Sequence, residues 1–516
     1  IMSSPRADRA RSFVEGQPGK ILVKIHLPFE AGSGFTTLSQ AVTDSVKDLK
    51  DHLFHKIAVT KGDIIGDQAL YVIKVCKSGK LLYVEDETLD NIANGSDKVE
   101  MSLVSTATEE RRLRVLRDGM RTAVYAWGDN DSGQLALSGS SPRGVPAPIP
   151  ELHNVGVIAI AAGGYTTAAI TAAGDMYMWG RGVEGHPMQE VPTLLTTLNK
   201  RVTAVACGSF HMMLTTDDGA LYSWGNGECG QLGHGPSIRQ QTGPWKVHAL
   251  RNECIVSIAC GNMHSAVASA GGSVYTWGSN EVGQLGSGSG GNLQELLPQK
   301  VQLGGDTADS TVLSVACGFE HTVCVTAGGN AYSWGGNSYG QLGQGNCKDC
   351  ATPLRVALPS LADVGLLAQS GRASVAPHRR AKNVACGVNH TAIVTEEGEC
   401  WLCGCTGRLV AGGAPEVAAP VPLEVAGVSR IAQAAAGNSC TVVLAESSGA
   451  PGGCTKEDDC LFTLGTPSLD LPQGNPQEQQ PLQPRRVALD GVRRVVAVTA
   501  GFTHMLVIVE LPSDAE

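Results

Sequence analysis

The sequence contains no run of about 18 apolar residues, which is the length a helix needs to cross a bilayer. It also shows no secretory signal. The phosphate-binding motif GxxxxGK[ST], the zinc-protease motif HExxH and the nucleophile motif GxSxG are all absent. These absences predict a cytoplasmic protein with no membrane span, no cofactor, no catalytic residues and no resident metal.

Excess positive charge is lacking as well. The chain has 39 Lys and Arg against 49 Asp and Glu, a net charge of −10. Binding to nucleic acid requires phosphate neutralisation, so this balance argues against a nucleic-acid partner. One basic cluster, Arg111, Arg112, Arg114, Arg117 and Arg121, lies in segment 107–121. It predicts a short solvated helix, with a phosphate or nucleic-acid role as the alternative.

The main positive feature is a repeat, which recurs at steps of 45 to 69 residues. Its strongest signature is aromatic-x-Trp-Gly, and five tryptophans occupy its third position: Trp127, Trp179, Trp224, Trp277 and Trp334. In two further copies, Cys403 and Leu464 stand in the tryptophan position. A period of this size indicates one small structural unit per repeat, either stacked or closed into a ring.

A second signature, Ala-Cys-Gly-x-x-His, precedes the tryptophan signature in most repeats. Five histidines share its last position: His211, His264, His321, His390 and His504. Thr166 and Cys440 stand at this position in the other two copies. Two apolar runs around a glycine-bearing turn predict a β-hairpin, and no helical period interrupts the repeats.

The order of the two signatures predicts a closed ring. The first repeat begins with the Trp127 signature, and the last ends with the His504 signature, so each supplies the part that the other lacks. The fold class is therefore mostly β, a seven-bladed propeller over 122–510 closed by its carboxy-terminal strands. Five equivalent histidines cannot all be catalytic, so they and the tryptophans are interpreted as structural positions.

These motifs, with GQLG at Gly230, Gly283 and Gly340 and GQLA at Gly133, resemble the regulator of chromosome condensation family. The resemblance implies a propeller that binds proteins. It also implies two alternatives, a guanine-nucleotide exchange factor for a small GTPase and a chromatin adaptor. Other members serve in cilia and at the cytoskeleton, which implies a cytoskeletal or ciliary location as a further expectation.

A different domain precedes the propeller. Strands are predicted at 20–27, 35–42, 70–75, 80–84 and 99–104, with a helix at 44–58. Their order resembles the ubiquitin-like roll, and the stretch from Asp86 is similar to the amino-terminal domain of engulfment-and-motility scaffolds. The sequence therefore predicts five segments: 1–17 flexible, 18–106 ubiquitin-like, 107–121 basic linker, 122–510 propeller and 511–516 tail.

Three tempting motifs are given structural interpretations. Gly286-x-Gly288-x-x-Gly291 opens no helix, so it predicts a loop rather than a dinucleotide site. Asp129-x-Asp131-x-Gly133 lacks the twelfth-position Glu of a calcium loop. The pairs Cys347/Cys350 and Cys400/Cys403 have zinc-ligand spacing but lie about fifty residues apart.

Cysteines Cys207, Cys260, Cys317 and Cys386 share one repeat position, so we expect unpaired buried thiols and a reducing compartment. Two long insertions, within 343–384 and 447–484, interrupt the repeat and are candidate binding loops. We therefore expect a non-enzymatic protein-interaction scaffold whose propeller and ubiquitin-like module each bind protein partners. A small GTPase and a cytoskeletal assembly are the partner classes that the resemblance implies.

Overall fold

The computed structural model describes 107–181, 188–288, 292–304, 311–358, 379–405, 416–446, 460–465, 484–489 and 491–512, together with five amino-terminal strands. The chain divides into two compact units, the second of which begins at Thr106. Among the described residues, none of the helices has the length and hydropathy needed to cross a bilayer.

In the amino-terminal unit, five strands form one sheet in the order β2-β1-β5-β3-β4, with β1 and β5 parallel. The strands are β1 Lys20–His26, β2 Phe35–Ala41, β3 Tyr71–Val75, β4 Leu81–Leu82 and β5 Lys98–Ser105. They lie where the sequence predicts them. The predicted helix at 44–58 lies outside the described residues, and the ubiquitin-like assignment stays a prediction.

The second unit begins with helix α1 (Ala107–Asp118) and continues as seven four-stranded antiparallel sheets. We number the blades in chain order. Blade 1 contains β6 Thr122–Gly128 and β7 Arg143–Pro148; blade 2, β8 Val157–Ala162, β9 Thr166–Thr171, β10 Met176–Gly180 and β11 Gln189–Leu194; blade 3, β12 Val202–Cys207, β13 His211–Thr216, β14 Leu221–Asn226 and β15 Gln240–Lys246.

The later blades repeat the same order of strands. Blade 4 contains β16 Ile255–Cys260, β17 His264–Ser269, β18 Val274–Ser279 and β19 Gln294–Val301; blade 5, β20 Val312–Cys317, β21 His321–Thr326, β22 Ala331–Gly335 and β23 Cys350–Arg355; blade 6, β24 Ala381–Cys386, β25 His390–Thr395, β26 Cys400–Cys405 and β27 Glu416–Pro422; blade 7, β28 Arg430–Ala436, β29 Cys440–Glu446, β30 Cys460–Gly465 and β31 Arg485–Val487. Two short 3₁₀ turns, Pro150–Leu152 and His248–Leu250, follow the outer strands of blades 1 and 3.

The glycines of both signatures are required by close backbone approach. In blade 5, Gly335 has φ +105°, and a Cβ there would lie 2.5 Å from the Glu320 carbonyl oxygen. A Cβ on Gly318 would lie 2.1 Å from Cε1 of His321. A side chain at either position would therefore push the neighbouring strand or the histidine away.

A proline recurs at one register position of the outer strands, within the strand in blades 1 to 6 and immediately before it in blade 7. The residue after each proline pairs with the second residue of the aromatic-x-Trp-Gly signature or of its degenerate copy. The seven prolines are Pro146, Pro192, Pro244, Pro298, Pro353, Pro420 and Pro484. In blades 1 to 6 the register shifts at this point. Proline and a bulge on an edge strand prevent pairing with other chains, so the rim of the propeller is protected from edge-to-edge association.

The two ends of the propeller meet in blade 1. Strands β32 (Arg494–Ala500) and β33 (His504–Glu510) complete it, and β33 pairs antiparallel with β6 from His504↔Gly128 to Glu510↔Thr122. The predicted seven-bladed propeller, closed by the carboxy-terminal strands, is confirmed.

Glu510, at the end of β33, is almost fully buried and accepts hydrogen bonds from three arginines. Its carboxylate lies 2.9 Å from Arg114 of α1, 2.9 Å from Arg493 and 2.7 Å from Arg494. The glutamate side chain is only 4% exposed. Glu510 thus joins α1 to both carboxy-terminal strands of blade 1.

We expect Glu510→Gln to lower the free energy of unfolding by about 2–3 kcal/mol, because it removes a buried charge from three partners. Glu446→Gln is the matched control. Glu446 holds the equivalent position in blade 7, but it and Arg430 are both about half exposed, so its loss should cost under about 1 kcal/mol. Urea unfolding measures both, and equal costs would contradict the role assigned to Glu510.

Candidate docking surfaces of the propeller

The polar residues that recur in the repeats join each blade to the next. Between blades 4 and 5, Nε2 of His264 lies 2.9 Å from Oγ1 of Thr322. The Thr322 hydroxyl donates to the Gln284 carbonyl oxygen at 2.9 Å, and the Trp334 indole Nε1–H donates to that same oxygen at 2.9 Å. We call this four-residue arrangement the inter-blade lock.

The complete inter-blade lock recurs at two further junctions. Blades 3 and 4 use His211, Gln231, Ser265 and Trp277. Blades 1 and 2 use His504, Gln134, Thr167 and Trp179. At the junction of blades 5 and 6, Cys403 stands where the tryptophan is expected, and its thiol takes over the donor position at 3.4 Å from the Gln341 carbonyl oxygen.

Where the histidine is missing, its partner is missing too. Thr166 and Cys440 replace the histidine in blades 2 and 7, and the next blades carry Met212 and Met505 in place of the Ser or Thr. Both methionines are fully buried. The two positions therefore change together from a polar pair to an apolar one, which avoids an unpartnered hydroxyl. This joint change is visible in the sequence only when each repeat is compared with the next one.

Hydrogen-bond accounting assigns the histidine tautomer. Because the Ser or Thr hydroxyl gives its one proton to the glutamine carbonyl in the four junctions that have this bond, the histidine Nε2 must donate. Nδ1 then carries a lone pair, and in all five histidines this buried atom has no hydrogen-bond partner in the part of the chain that the structure describes. Burial lowers the pKa to about 3 for His211, His321 and His504 and to about 4 for His264 and His390.

These shifts predict acid lability with a defined sign. The unfolded chain binds protons to these histidines below pH about 6.5, whereas the folded protein does not until pH about 3–4. The contribution of each histidine to the free energy of unfolding is therefore fully present above pH about 6.5. As pH decreases below this value, the free energy of unfolding falls by up to roughly 1.4 kcal/mol per pH unit for each histidine. Urea unfolding between pH 7.5 and 5 measures the slope. A slope of less than one proton would show that the folded protein does not hold these histidines neutral.

One indole serves as an internal reference for the inter-blade lock. Trp224 is completely buried, and its Nε1 has no hydrogen-bond partner among the described residues; in sequence, the preceding repeat has GHPM in place of GQLG. Trp224→Phe and Trp334→Phe remove similar apolar volume. We expect Trp334→Phe to cost about 0.5–1.5 kcal/mol more in urea unfolding, since it alone breaks a hydrogen bond. Equal costs would show that the indole bond contributes nothing.

Near the axis, the seven turns that contain the histidine signature are connected by main-chain hydrogen bonds. In each turn, one main-chain N–H donates to a carbonyl oxygen of the next turn. The seven bonds run from Ser209 to Gly261, Asn262 to Phe319, Phe319 to Val388, Val388 to Gly437, Asn438 to Phe502, Phe502 to Gly163 and Gly164 to Gly208. The rings of Phe319 and Phe502 meet with centroids 5.9 Å apart. These two rings come from blades 5 and 1, so they meet across the centre of this face.

We call this surface the histidine-turn face. The residue before each histidine position varies along the chain: Tyr165, Phe210, Met263, Glu320, Asn389, Ser439 and Thr503. Tyr165 and Phe210 are exposed. Burial and the nearby carboxylates of Glu281 and Asp349 raise the pKa of Glu320. The face thus combines exposed aromatic rings with negative charge on an otherwise uniform framework, a combination suited to protein contacts.

The other ends of these strands form the arginine face. In four blades an arginine at the start of the innermost strand pairs with a carboxylate sixteen residues later: Arg201 with Asp217, Arg380 with Glu396, Arg430 with Glu446 and Arg494 with Glu510. Arg430 also donates to the carbonyls of Glu396 and Glu397 in the preceding blade. Most charge on this face is therefore internally paired.

The basic cluster of the linker also contributes to the framework. It lies on helix α1 as predicted, but the expectation of a solvated helix is wrong for three of its arginines. Arg111 and Arg112 donate from Nε to the carbonyls of Ile158 and Ala172 in blade 2, and Arg114 pairs with Glu510. Unsatisfied carbonyls at the blade surface attract these guanidinium groups, which the spacing in sequence does not reveal.

The remaining sequence candidates lie in scattered places. Asp129, Asp131 and Gly133 lie in a repeat turn, in which the Asp129 N–H donates to the Thr503 carbonyl oxygen and Asn130 Oδ1 accepts from the Leu135 N–H. Gly286 and Gly288 lie in a loop with positive φ, and Gly291 is outside the described residues. Cys347 is exposed, whereas Cys400 and Cys403 are buried within β26. The described residues contain no group of three potential metal ligands.

Thirteen described cysteines are free, including the four at the shared repeat position, while Cys460 is disulfide-bonded. The expectation of unpaired thiols, which concerned the four repeat cysteines, is therefore confirmed. Most of the two long insertions lies outside the described residues.

The family model of the RCC1-like domain matches residues 123–507. The chain belongs to the RCC1-like domain family. Its repeat is similar to human E3 ubiquitin-protein ligase HERC2, with 33% identity over 277 residues, which is 52% of this chain and 5% of that protein. It is also similar to the ultraviolet-B receptor UVR8 of Arabidopsis thaliana, with 32% identity over 45% of this chain and 52% of the receptor. The RCC1-like chain thus spans about half the length of the receptor and a small part of the length of the ligase.

Solved propellers agree in fold. Yeast RCC1 (Prp20), in a structure bound to Kap60, superposes with a TM-score of 0.60 at 20% identity and covers 77% of this chain and 90% of that one. Human WBSCR16 gives 0.59 at 21% identity over 76% of this chain and 99% of that one. These likenesses establish the RCC1-like propeller and do not by themselves assign a partner.

Proposed function

We propose that this RCC1-like chain is a non-enzymatic interaction scaffold. Its propeller binds protein partners on its faces, and the amino-terminal module provides a second docking surface. The observation that carries the proposal is that structural residues and variable surface residues occupy separate positions. The repeated histidine and tryptophan positions are buried within or between blades, whereas variable residues occupy the histidine-turn face.

Related proteins support protein binding. One yeast RCC1 (Prp20) structure contains Kap60, and another study of that protein concerns its binding to Gsp1p and histones. The ligase relative shares only 5% of its length with this chain, so the ligase name gives no reason to place catalysis in the propeller. We propose a cytoplasmic scaffold, with a cytoskeletal or ciliary assembly as the partner class and a small GTPase as the alternative.

The test is affinity purification of the full chain after mild cross-linking, compared with Phe210→Asp. Phe210 is 44% exposed on the histidine-turn face, so the substitution should leave the fold intact and change the partners that bind there. We expect at least one stoichiometric protein to be recovered with the wild type and lost from the variant.

Leu194→Asp is the matched control, because Leu194 is 43% exposed and lies at the arginine-face end of β11, where it pairs with Tyr177. Recovery of no stoichiometric partner by the wild type would contradict the scaffold proposal. Accelerated nucleotide release from a panel of purified small GTPases would instead support the exchange-factor alternative.

A further inference from the structure

A basic cleft lies where blade 7 meets blade 1. Its volume is about 340 Å³, and it is lined by described residues of β30, β31 and β32 and of the chain between β31 and β32. Three arginines, Arg486, Arg493 and Arg494, and the apolar side chains of Val487, Leu489 and Val492 are among them. We call it the Arg486 cleft.

Among the described residues, positive charge at the Arg486 cleft exceeds the negative charge. Arg493 and Arg494 share the single carboxylate of Glu510, which also pairs with Arg114. Arg486 is exposed and forms no hydrogen bond or ion pair with the described part of the chain. Its guanidinium group is therefore free to bind a carboxylate or phosphate in a bidentate manner.

A second cleft with similar sequence elements has a larger share of its positive charge paired. Arg355, Val356, Ala357, Leu358 and Arg379 line a cleft of about 520 Å³ at blade 5, and Arg380 follows Arg379 in the chain. There Arg379 pairs with Glu399 and lies 5.3 Å above the Trp401 ring, and Arg380 pairs with Glu396 at 3.0 Å. Each arginine of that pair has its own carboxylate, whereas the pair at blade 1 shares one.

We propose that the Arg486 cleft binds an acidic linear segment of a partner protein, with carboxylates on Arg486 and Arg493 and an aliphatic side chain against Val487, Leu489 and Val492. The net charge of −10 repels a long polyanion such as nucleic acid, but a short peptide experiences mainly the local field. This inference deepens the scaffold function proposed above and rests on it.

The strand geometry provides a matched pair of variants. Arg485 and Arg486 are adjacent and both exposed on β31, where they pair with Thr463 and Phe462 of β30. Successive side chains of a strand point to opposite faces of the sheet. Arg486 lines the cleft and Arg485 does not. Arg486→Glu should therefore abolish binding in the cleft, and Arg485→Glu makes the same charge change outside it.

The experiment uses the full chain and fluorescence anisotropy with a labelled twelve-residue peptide of alternating Asp and Glu around one Leu. We expect the wild type and Arg485→Glu to bind it with similar affinity, and Arg486→Glu to bind it at least about tenfold more weakly, as loss of a charge-assisted bidentate contact implies. The Asn/Gln version of the peptide should bind to none of the three proteins.

Equal binding by the two variants, or equal binding of the acidic and neutral peptides, would overturn the proposal. Tighter binding of a single-stranded oligonucleotide or of vesicles containing phosphatidylserine would also overturn it in favour of another polyanion. Affinity purification of the full chain separates this from the broader claim. If partners are recovered equally with wild type and Arg486→Glu while the peptide does not bind, the cleft fails and the scaffold function stands.

Discussion

One main-chain carbonyl oxygen, that of the glutamine in each GQL turn, is the contact on which the blade packing depends. In three junctions it accepts both the indole N–H and the hydroxyl proton of the following blade, and that hydroxyl in turn accepts from the histidine of the preceding blade. One main-chain carbonyl and three side chains are thereby fixed in a buried interface. The glycines of the signatures allow this approach, and closure through β33 and β6 brings the last blade against the first.

This arrangement explains why the repeat tolerates some substitutions and not others. Cys403 replaces a tryptophan because a thiol can also donate to the Gln341 carbonyl. Met212 and Met505 appear where the preceding blade offers no histidine, so no buried hydroxyl loses its partner. Junctions with methionine depend on apolar packing, while junctions with histidine depend on a polar network whose imidazoles stay neutral in the folded protein until pH falls to about 3–4.

The repeat architecture could be predicted from the sequence because its period, its glycines and the circular order of its signatures each report a local constraint. Trp127 at the beginning and His504 at the end are complementary halves of one blade, and this required no three-dimensional information. Contacts between distant residues could not be predicted in the same way. The arginines of α1 form an apparently solvated basic run, yet their partners are carbonyls in blade 2 and a glutamate nearly four hundred residues away. The Arg486 cleft depends on how many carboxylates reach one place, which spacing alone does not report.

The central claim is that the tryptophans hold neighbouring blades through hydrogen bonds as well as through packing. Indole N–H exchange, followed by NMR on the full chain labelled with ¹⁵N-tryptophan, tests it most directly. Our account predicts slow exchange and hydrogen-bonded chemical shifts for Trp179, Trp277 and Trp334, a buried but unbonded shift for Trp224, and fast exchange for exposed Trp245. If Trp179, Trp277 and Trp334 exchanged as fast as Trp245, or shared the shift of Trp224, the account would be contradicted.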